Sequence, residues 1–339
     1  MPSVNLLTSD KMELLRIDRL PIHHRAPETP VLEMSSAFIE ANTETVEFRE
    51  MRDQHVIPVY LKDNEPAISH CEFVEAVSLA AQESFGLAHL PDASIRVSHP
   101  VKGRVYEARH KKAQELLNHE KTIYFERMAF MITIPGVRDE ISGNMLELTI
   151  GGVKAFHLDN LNSCKGSPEH FKVFIGFKNR VCTNLCVSTD GVKLDLKARS
   201  VEDLFQQVCE LISGFDAVRF LRNLSLFTAY ELEERQFAQI IGRSRMYQFL
   251  PKPLRSEIPE LLINDTQVSR IAEHFYHDPN FSRSQSGTID LWRFFNLLTG
   301  ANKQSYIDKY LERGVNGYDF TEQIRLALDS THPDFWYLS

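Results

Sequence analysis

Residues 170–196 read HFKVFIGFKNRVCTNLCVSTDGVKLDL, and the folding of this run decides both the architecture and where function can sit. Its first half is rich in Phe, Val and Ile, which fill a pleated surface. Asp190-Gly191 is a two-residue hairpin signal after which VKLDL returns. Side chains alternate along a strand, so unbroken alternation places Lys178, Arg180, Cys182, Asn184, Cys186 and Ser188 on one side. Phe177, Val181, Leu185 and Val187 then lie on the other, with Asn179 and Thr183 as polar exceptions. The expectation is a half-buried strand with an apolar underside and a basic-to-polar top. The competing arrangement has the helical half of the chain covering this strand, which makes the polar row internal.

The neighbouring segments extend the sheet. TIYFERMAFMITI (122–134) is an apolar run suited to a strand covered on both faces. NMLELTIGGVKAFH (144–157) alternates Leu146, Leu148 and Ile150 against Glu147 and Thr149, and Gly151-Gly152 reads as a bend or hairpin. Upstream, HVIPVYL (55–61) reads as a short strand placed near a sheet edge by Pro58. SHCEFVEAVSLAAQESFG (69–86) is a helix capped by Ser69 and Glu72 and stopped by Gly86. From Ser200 the period becomes helical and stays so. Ser200, Thr228 and Asn264 read as N-caps, Thr228 with Glu231 in the capping-box position, while Gly214 and Gly242 read as punctuation.

The fold class is therefore α+β, a mainly antiparallel central sheet with flanking helices followed by an all-helical C-terminal half. The expected organisation is an extended or disordered arm over 1–35, a sheet domain over 36–199, and a helical domain over 200–339 packed on the first. The arm carries PIHHRAPETP and lacks periodicity.

The chain has 339 residues with 43% hydrophobic and 25% charged, the balance of an ordinary folded protein. No run of about 18 apolar residues occurs, so no membrane partner is expected. Five cysteines at irregular spacing, with no secretory signal at the start, predict free thiols in the cytoplasm. The formal net charge of −8 excludes wrapping of duplex DNA through overall charge, but the charge is uneven. Arg96, Lys102, Arg104, Arg109, Lys111 and Lys112 stand against one acid, Glu107, between residues 96 and 112. A helix is expected from about Val105, with Arg109 and Lys112 three apart on one exposed side.

Catalytic and cofactor motifs are absent. Cys182 and Cys186 supply two thiolates where a structural zinc site needs four ligands, so no metal is expected and the thiols read as packing. No base is placed against a cysteine, and Ser98-His99 is equally uninformative. TGANKQS (299–305) lacks the Gly-Lys pair of a phosphate loop, and neither G-x-G-x-x-G nor H-E-x-x-H occurs. No cofactor is expected. Glu107, Glu126, Asp139 and Glu140 form no local two-metal pattern.

Several stretches together resemble an uncharacterised bacterial family, domain of unknown function 3871. They are IPVYLKDNEPAISHCEFVEAV, IRVSHPVKGRVYEARHKKAQELL, KTIYFERMAFMI, LTIGGVKAF, FKVFIGFKNRVCTNLCVSTDG, RMYQFLP and LTGANKQSYIDKYL, and the resemblance spans residues 40–335. The family carries no catalytic residues to transfer. The RVCTN segment is distantly similar to phage- and plasmid-like proteins, which implies a mobile-element setting and with it DNA handling or the countering of host defence.

The leading expectation is a non-enzymatic nucleic-acid-binding protein that takes single-stranded DNA in support of recombination or annealing. Lys102, Arg104, Arg109, Lys111, Lys112, Lys178, Arg180 and Asn184 would line a groove for phosphates, with Tyr106 and Tyr124 stacking on bases. Two other classes stand beside it: a protein–protein interaction factor acting through the acidic face, and a hydrolase with a spatially assembled acidic site. The sequence leaves homo-oligomerisation open.

Overall fold

The computed structural model describes residues 37–54, 67–159, 167–329 and 335–339. The arm over 1–35 and the HVIPVYL segment lie outside the described residues. The architecture is α+β, as the periodicities predict.

The main sheet is antiparallel and runs β1 (Glu44–Thr45), β2 (Ser94–Val97), β5 (Arg127–Ile141), β6 (Asn144–Ala155), β7 (Glu169–Asn179) and β8 (Leu185–Cys186). Strand β9 (Val192–Ala198) also pairs with β7. A separate two-stranded ribbon is formed by β3 (Pro100–Arg104) and β4 (Lys121–Phe125). The run 122–134 is thus two strands in two sheets, parted at Glu126, where one long strand was expected. The Glu126 carboxylate accepts from the backbone N–H of His157 at 2.9 Å, which anchors the break.

Strands β5 and β6 are joined by Ser142-Gly143, with φ of 50° and 76°, the double positive φ that a tight hairpin turn matching the strand twist demands. The expected turn at Gly151-Gly152 is corrected: both glycines sit inside β6. A Cβ on Gly151 would lie 2.8 Å from the Phe174 ring, and one on Gly152 would overlap the Phe73 ring. The glycines are there to admit aromatic rings to both faces of the sheet.

The opening run is corrected too. It is a hairpin whose turn is RVCTN itself, residues 180–184. Phe177 opposes Cys186 and Lys178 opposes Leu185. Thr183 takes φ 56°, and the Asn179 side-chain oxygen accepts from Val181 N–H at 3.0 Å. Asp190-Gly191 lies in a single 3-10 turn, Thr189–Gly191, that interrupts the returning strand. Strands β8 and β9 therefore succeed one another along the same edge of β7. The alternation fails at residue 180, so the row from Lys178 to Ser188 does not share a face.

Eight helices of seven residues or more occur among the described residues: α1 (Phe48–Gln54), α2 (His70–Phe85), α3 (Val201–Gly214), α4 (Ala217–Leu226), α5 (Glu234–Tyr247), α6 (Asp265–His277), α7 (Leu291–Asn302) and α8 (Ile307–Leu328). Helix α2 has the reciprocal Ser69–Glu72 cap, and Gly86 closes it at φ 63°. Ser200 and Asn264 cap α3 and α6 as expected. Thr228 does not cap a helix: it lies in a 3-10 turn, and α5 starts at a Glu233–Gln236 box. Gly214 ends α3, whereas Gly242 is inside α5.

Burial follows the pleat. On one face Leu146, Leu148, Ile150, Phe171, Val173, Ile175 and Phe177 join α2 and α3 in an apolar cluster. That cluster continues through Phe220, Phe227, Trp292 and Phe320 of the helical half. On the other face Ala129, Met131, Val153, Phe174, Leu185 and Val187 are covered by Ile307, Tyr310, Leu311 and Val315 of α8. Both faces of the central strands are thus covered by apolar packing.

Candidate nucleic-acid interface

Two asparagines of the hairpin, Asn179 and Asn184, are internal. Asn184 is 2% exposed, and its amide donates to the Asn296 carbonyl at 3.0 Å. Asn179 is also buried, 3.4 Å from the Asn296 side-chain oxygen, and Asn296 donates in turn to Trp292 O at 2.9 Å. The Lys303 ammonium bonds Cys182 O and, at 3.0 Å, the Thr183 hydroxyl. Burial lowers the Lys303 pKa from its usual value. Helix α7 thus clamps the turn, and Asn184 is corrected from a ligand contact to a packing residue.

Cys182 and Cys186 show no activation. Burial pushes the Cys182 thiol up to about 11 and holds Cys186 well above the ordinary thiol range. Among the described residues, no group of three or more His, Cys, Asp or Glu is arranged to hold a metal ion.

Lys178 is partly buried, 3.4 Å from Glu147 and 3.1 Å from the Thr133 hydroxyl. Arg180 is exposed on the hairpin turn. These two sit far from the other candidates. Glu147 opposes Lys178 on β6, whereas Ala155, at the ribbon end, opposes Arg127. Eight residues of strand separate those positions, about 27 Å. The expected groove joining Lys178 and Arg180 to the basic island does not form.

The basic island itself has a different shape. No α-helix follows Val105; the chain makes three 3-10 turns, Tyr106–Ala108, Ala113–Glu115 and Asn118–Glu120, between the two ribbon strands. Residues directly opposite in an antiparallel pair share a face. Lys102 opposes Ile123 and Arg104 opposes Lys121, so Lys102, Arg104 and Lys121 line one face with Ile123 among them. Lys102, Lys121 and Ile123 are exposed; Arg104 is half-buried and donates to the Lys111 carbonyl. The reverse face carries Thr122 and Tyr124, both buried. Tyr124 is 9% exposed and packs edge-on to Phe156, with centroids 5.5 Å apart, so it is corrected as a stacking partner.

In the connecting loop Arg109 and Lys112 are exposed. Lys111 reaches Glu120 at 2.5 Å, and this hydrogen bond holds the Glu120 carboxyl below the usual range. Tyr106 begins the first turn of the loop. Sequence reasoning missed Lys121 and Ile123, which a ribbon reading of the alternation would have found. It also passed over RMYQFLP, where Phe249 is 81% exposed.

Two charged assemblies lie elsewhere. Lys154, fully buried, bonds Asp159 at 2.9 Å and Glu169 at 2.5 Å, and its ammonium lies 4.0 Å from the Phe171 ring centroid. A cavity of about 310 Å³ opens between β7 and the start of α8, lined in part by His170, Lys172, Asp195 and Glu312. Lys172 and Lys309 both reach Glu312, at 2.8 and 3.0 Å, so its cations are already paired.

The architecture is that of an α+β protein with a covered antiparallel sheet and a basic ribbon at one end. Residues 27–338 match the family described as "Domain of unknown function, B. Theta Gene description (DUF3871)", and the chain belongs to that family. No curated protein and no solved structure matches it. No helix among the described residues is long and apolar enough to cross a membrane.

Proposed function

We propose that this protein binds nucleic acid, single-stranded DNA in preference, through the β3–β4 ribbon, and that it does so in the cytoplasm in support of recombination or annealing by a mobile element. The observation that carries the reading is the ribbon register, which gathers Lys102, Arg104 and Lys121 on one face. Arg109 and Lys112 add exposed cations in the loop that joins the two strands. Six Lys or Arg stand against three Glu over residues 100–121, in a chain whose formal net charge is −8. Such a local excess attracts a polyanion although the molecule as a whole repels it. Phosphate neutralisation needs no reaction chemistry, only cations presented on one face. Exposed Ile123 offers an apolar contact to a base or sugar between the flanking charges.

Fluorescence anisotropy with a labelled 30-nucleotide strand at low salt tests this. The wild type binds with an affinity that falls steeply with salt, at a log–log slope of about −0.7 per phosphate contacted. Lys102→Glu with Lys121→Glu weakens binding at least tenfold and makes the slope shallower by more than one. Absence of low-salt binding by the wild type, or full binding by the double variant, overturns the reading.

A further inference from the structure

The geometry points to Phe249 as a base-stacking platform for a single strand, flanked by cations that hold the neighbouring phosphates. This rests on the nucleic-acid reading above and adds a second contact, on the helical half, that supplies the aromatic surface Tyr124 cannot.

The local sequence is unusual in this chain. From Arg243 to Arg255, RSRMYQFLPKPLR carries Arg243, Arg245, Lys252 and Arg255 and no Asp or Glu. Arg245 pairs with Asp265 at 2.9 Å. Among the described residues, Lys252 and Arg255 form no ion pair with a carboxylate, and Arg255 donates to the carbonyls of Gln248 and Leu250; Arg243 is held by Ser339 O and lies 4.8 Å from the Trp336 ring centroid. Two positive charges, those of Lys252 and Arg255, therefore remain unneutralised around the loop.

The loop is held in shape. Phe249 N–H donates to Met246 O at 3.0 Å and Leu250 N–H to Tyr247 O at 3.2 Å. Pro251 and Pro253 restrict the backbone, and Arg255 ties the far side of the loop to its near side. The aromatic ring is thus displayed at 81% exposure by a segment whose ordering precedes binding, which lowers the entropic cost of an encounter.

The shape favours a base over a lipid or a broad protein face. One planar ring stands out, with Met246 and Leu254 at 57% and 51% exposure as shoulders. An interfacial membrane helix needs a continuous apolar stripe. In α5 that stripe turns inward: Phe237 stacks on Phe275 at 4.0 Å and meets Phe294 at 6.1 Å. A single exposed ring among unneutralised cations matches the combination by which proteins hold single strands without reading sequence.

The test places a reporter at the ring. Phe249→Trp, titrated with oligo(dT) at low salt, shows quenched emission as bases stack on the introduced indole. Phe249→Ala keeps the melting temperature of the wild type and binds oligo(dT) about 5- to 150-fold more weakly, with an unchanged salt slope. Lys252→Glu weakens binding and makes the slope shallower. If oligo(dT) binds and Lys102→Glu/Lys121→Glu weakens it while the emission of the Phe249→Trp variant stays still and Phe249→Ala binds as the wild type does, the platform is overturned and the ribbon reading stands. If no oligonucleotide binds, both fall. An emission shift of the Phe249→Trp variant on vesicles of phosphatidylserine and phosphatidylcholine, or with protein concentration, and none with oligo(dT), overturns the platform and assigns the loop to lipid or to a second copy of the chain.

Discussion

The side chain of Asn184 donates to the main-chain carbonyl of Asn296 at 3.0 Å, across the seam between the hairpin turn and helix α7. A second approach, at 3.3 Å, reaches the Asn296 side-chain oxygen. This contact joins the sheet to the helical half at a buried point, and the amide that could have met a ligand is used in doing so. Replacing it with an apolar residue removes both contacts, while Asn296 O keeps the Thr299 hydroxyl and the Asn296 side-chain oxygen keeps Asn179, so the cost is that of a lost hydrogen bond, about 0.5–1.5 kcal/mol. Asn184→Leu should lower the urea midpoint accordingly with little change in the m-value. Asn184→Asp should cost more, because it turns a carboxylate toward a carbonyl oxygen. Loss of oligonucleotide binding at unchanged stability would return Asn184 to the interface.

Lys154 offers a sharper test of buried charge. Its ammonium is fully buried between Asp159 and Glu169, and Glu169 also accepts from the backbone N–H of Ile68 at 2.8 Å. Lys154→Met removes one cation from two enclosed carboxylates, and such a removal costs about 3–5 kcal/mol. Adding Asp159→Asn and Glu169→Gln to that variant should recover much of the loss, since the remaining groups are neutral. Denaturation of the single and triple variants measures the difference. Equal stability of the single variant and the wild type would mean that the carboxylates find other partners.

Much of the architecture was legible because it follows from short-range chemistry. The Ser69–Glu72 cap, the Gly86 stop and the Leu146–Leu148–Ile150 alternation each require only neighbours in sequence. Three features were not legible, each for a stated physical reason. Gly151-Gly152 looks like a turn locally, but it is decided by the Phe73 and Phe174 rings that approach from other elements. Strand alternation was carried through RVCTN because nothing in its composition announces the positive φ of Thr183. The row of cations around Arg109 looked helical, yet its backbone is committed to turns that bridge a ribbon. Of the expected site, the basic island was visible in the sequence. Which residues share its face was not, because that depends on cross-strand register.

Glycine substitutions separate space from conformation. Gly242 lies inside α5 with open space where a Cβ would stand, so Gly242→Ala should stabilise the protein by about 0.5–1 kcal/mol through helix propensity. Gly152→Ala places its methyl carbon 2.8 Å from Lys172 O and into the Phe73 ring, so the sheet and α2 cannot both keep their positions. Thermal melts should move in opposite directions for the two variants. A neutral Gly152→Ala would show that α2 is free to slide on the sheet.

The thiols give a prediction in pH. Burial raises both Cys71 and Cys182 to about 11, and Cys186 is fully buried. A raised thiol pKa means that the protonated form persists to higher pH, so the reactive thiolate is scarce at neutrality. At pH 8 a group with that pKa is ionised to about one part in a thousand, against roughly a quarter for an unperturbed thiol. Alkylation of Cys71 and Cys182 in the native protein by iodoacetamide at pH 8 should therefore run about two orders of magnitude slower than in urea. For Cys71 and Cys182 the native rate should climb about tenfold per pH unit between 8 and 10, while Cys186 stays protected until the fold opens. Rapid labelling of Cys182 at pH 7, read by peptide mass spectrometry, would require a thiolate stabilised by Lys303, and the turn would then be a reactive site instead of a packed corner.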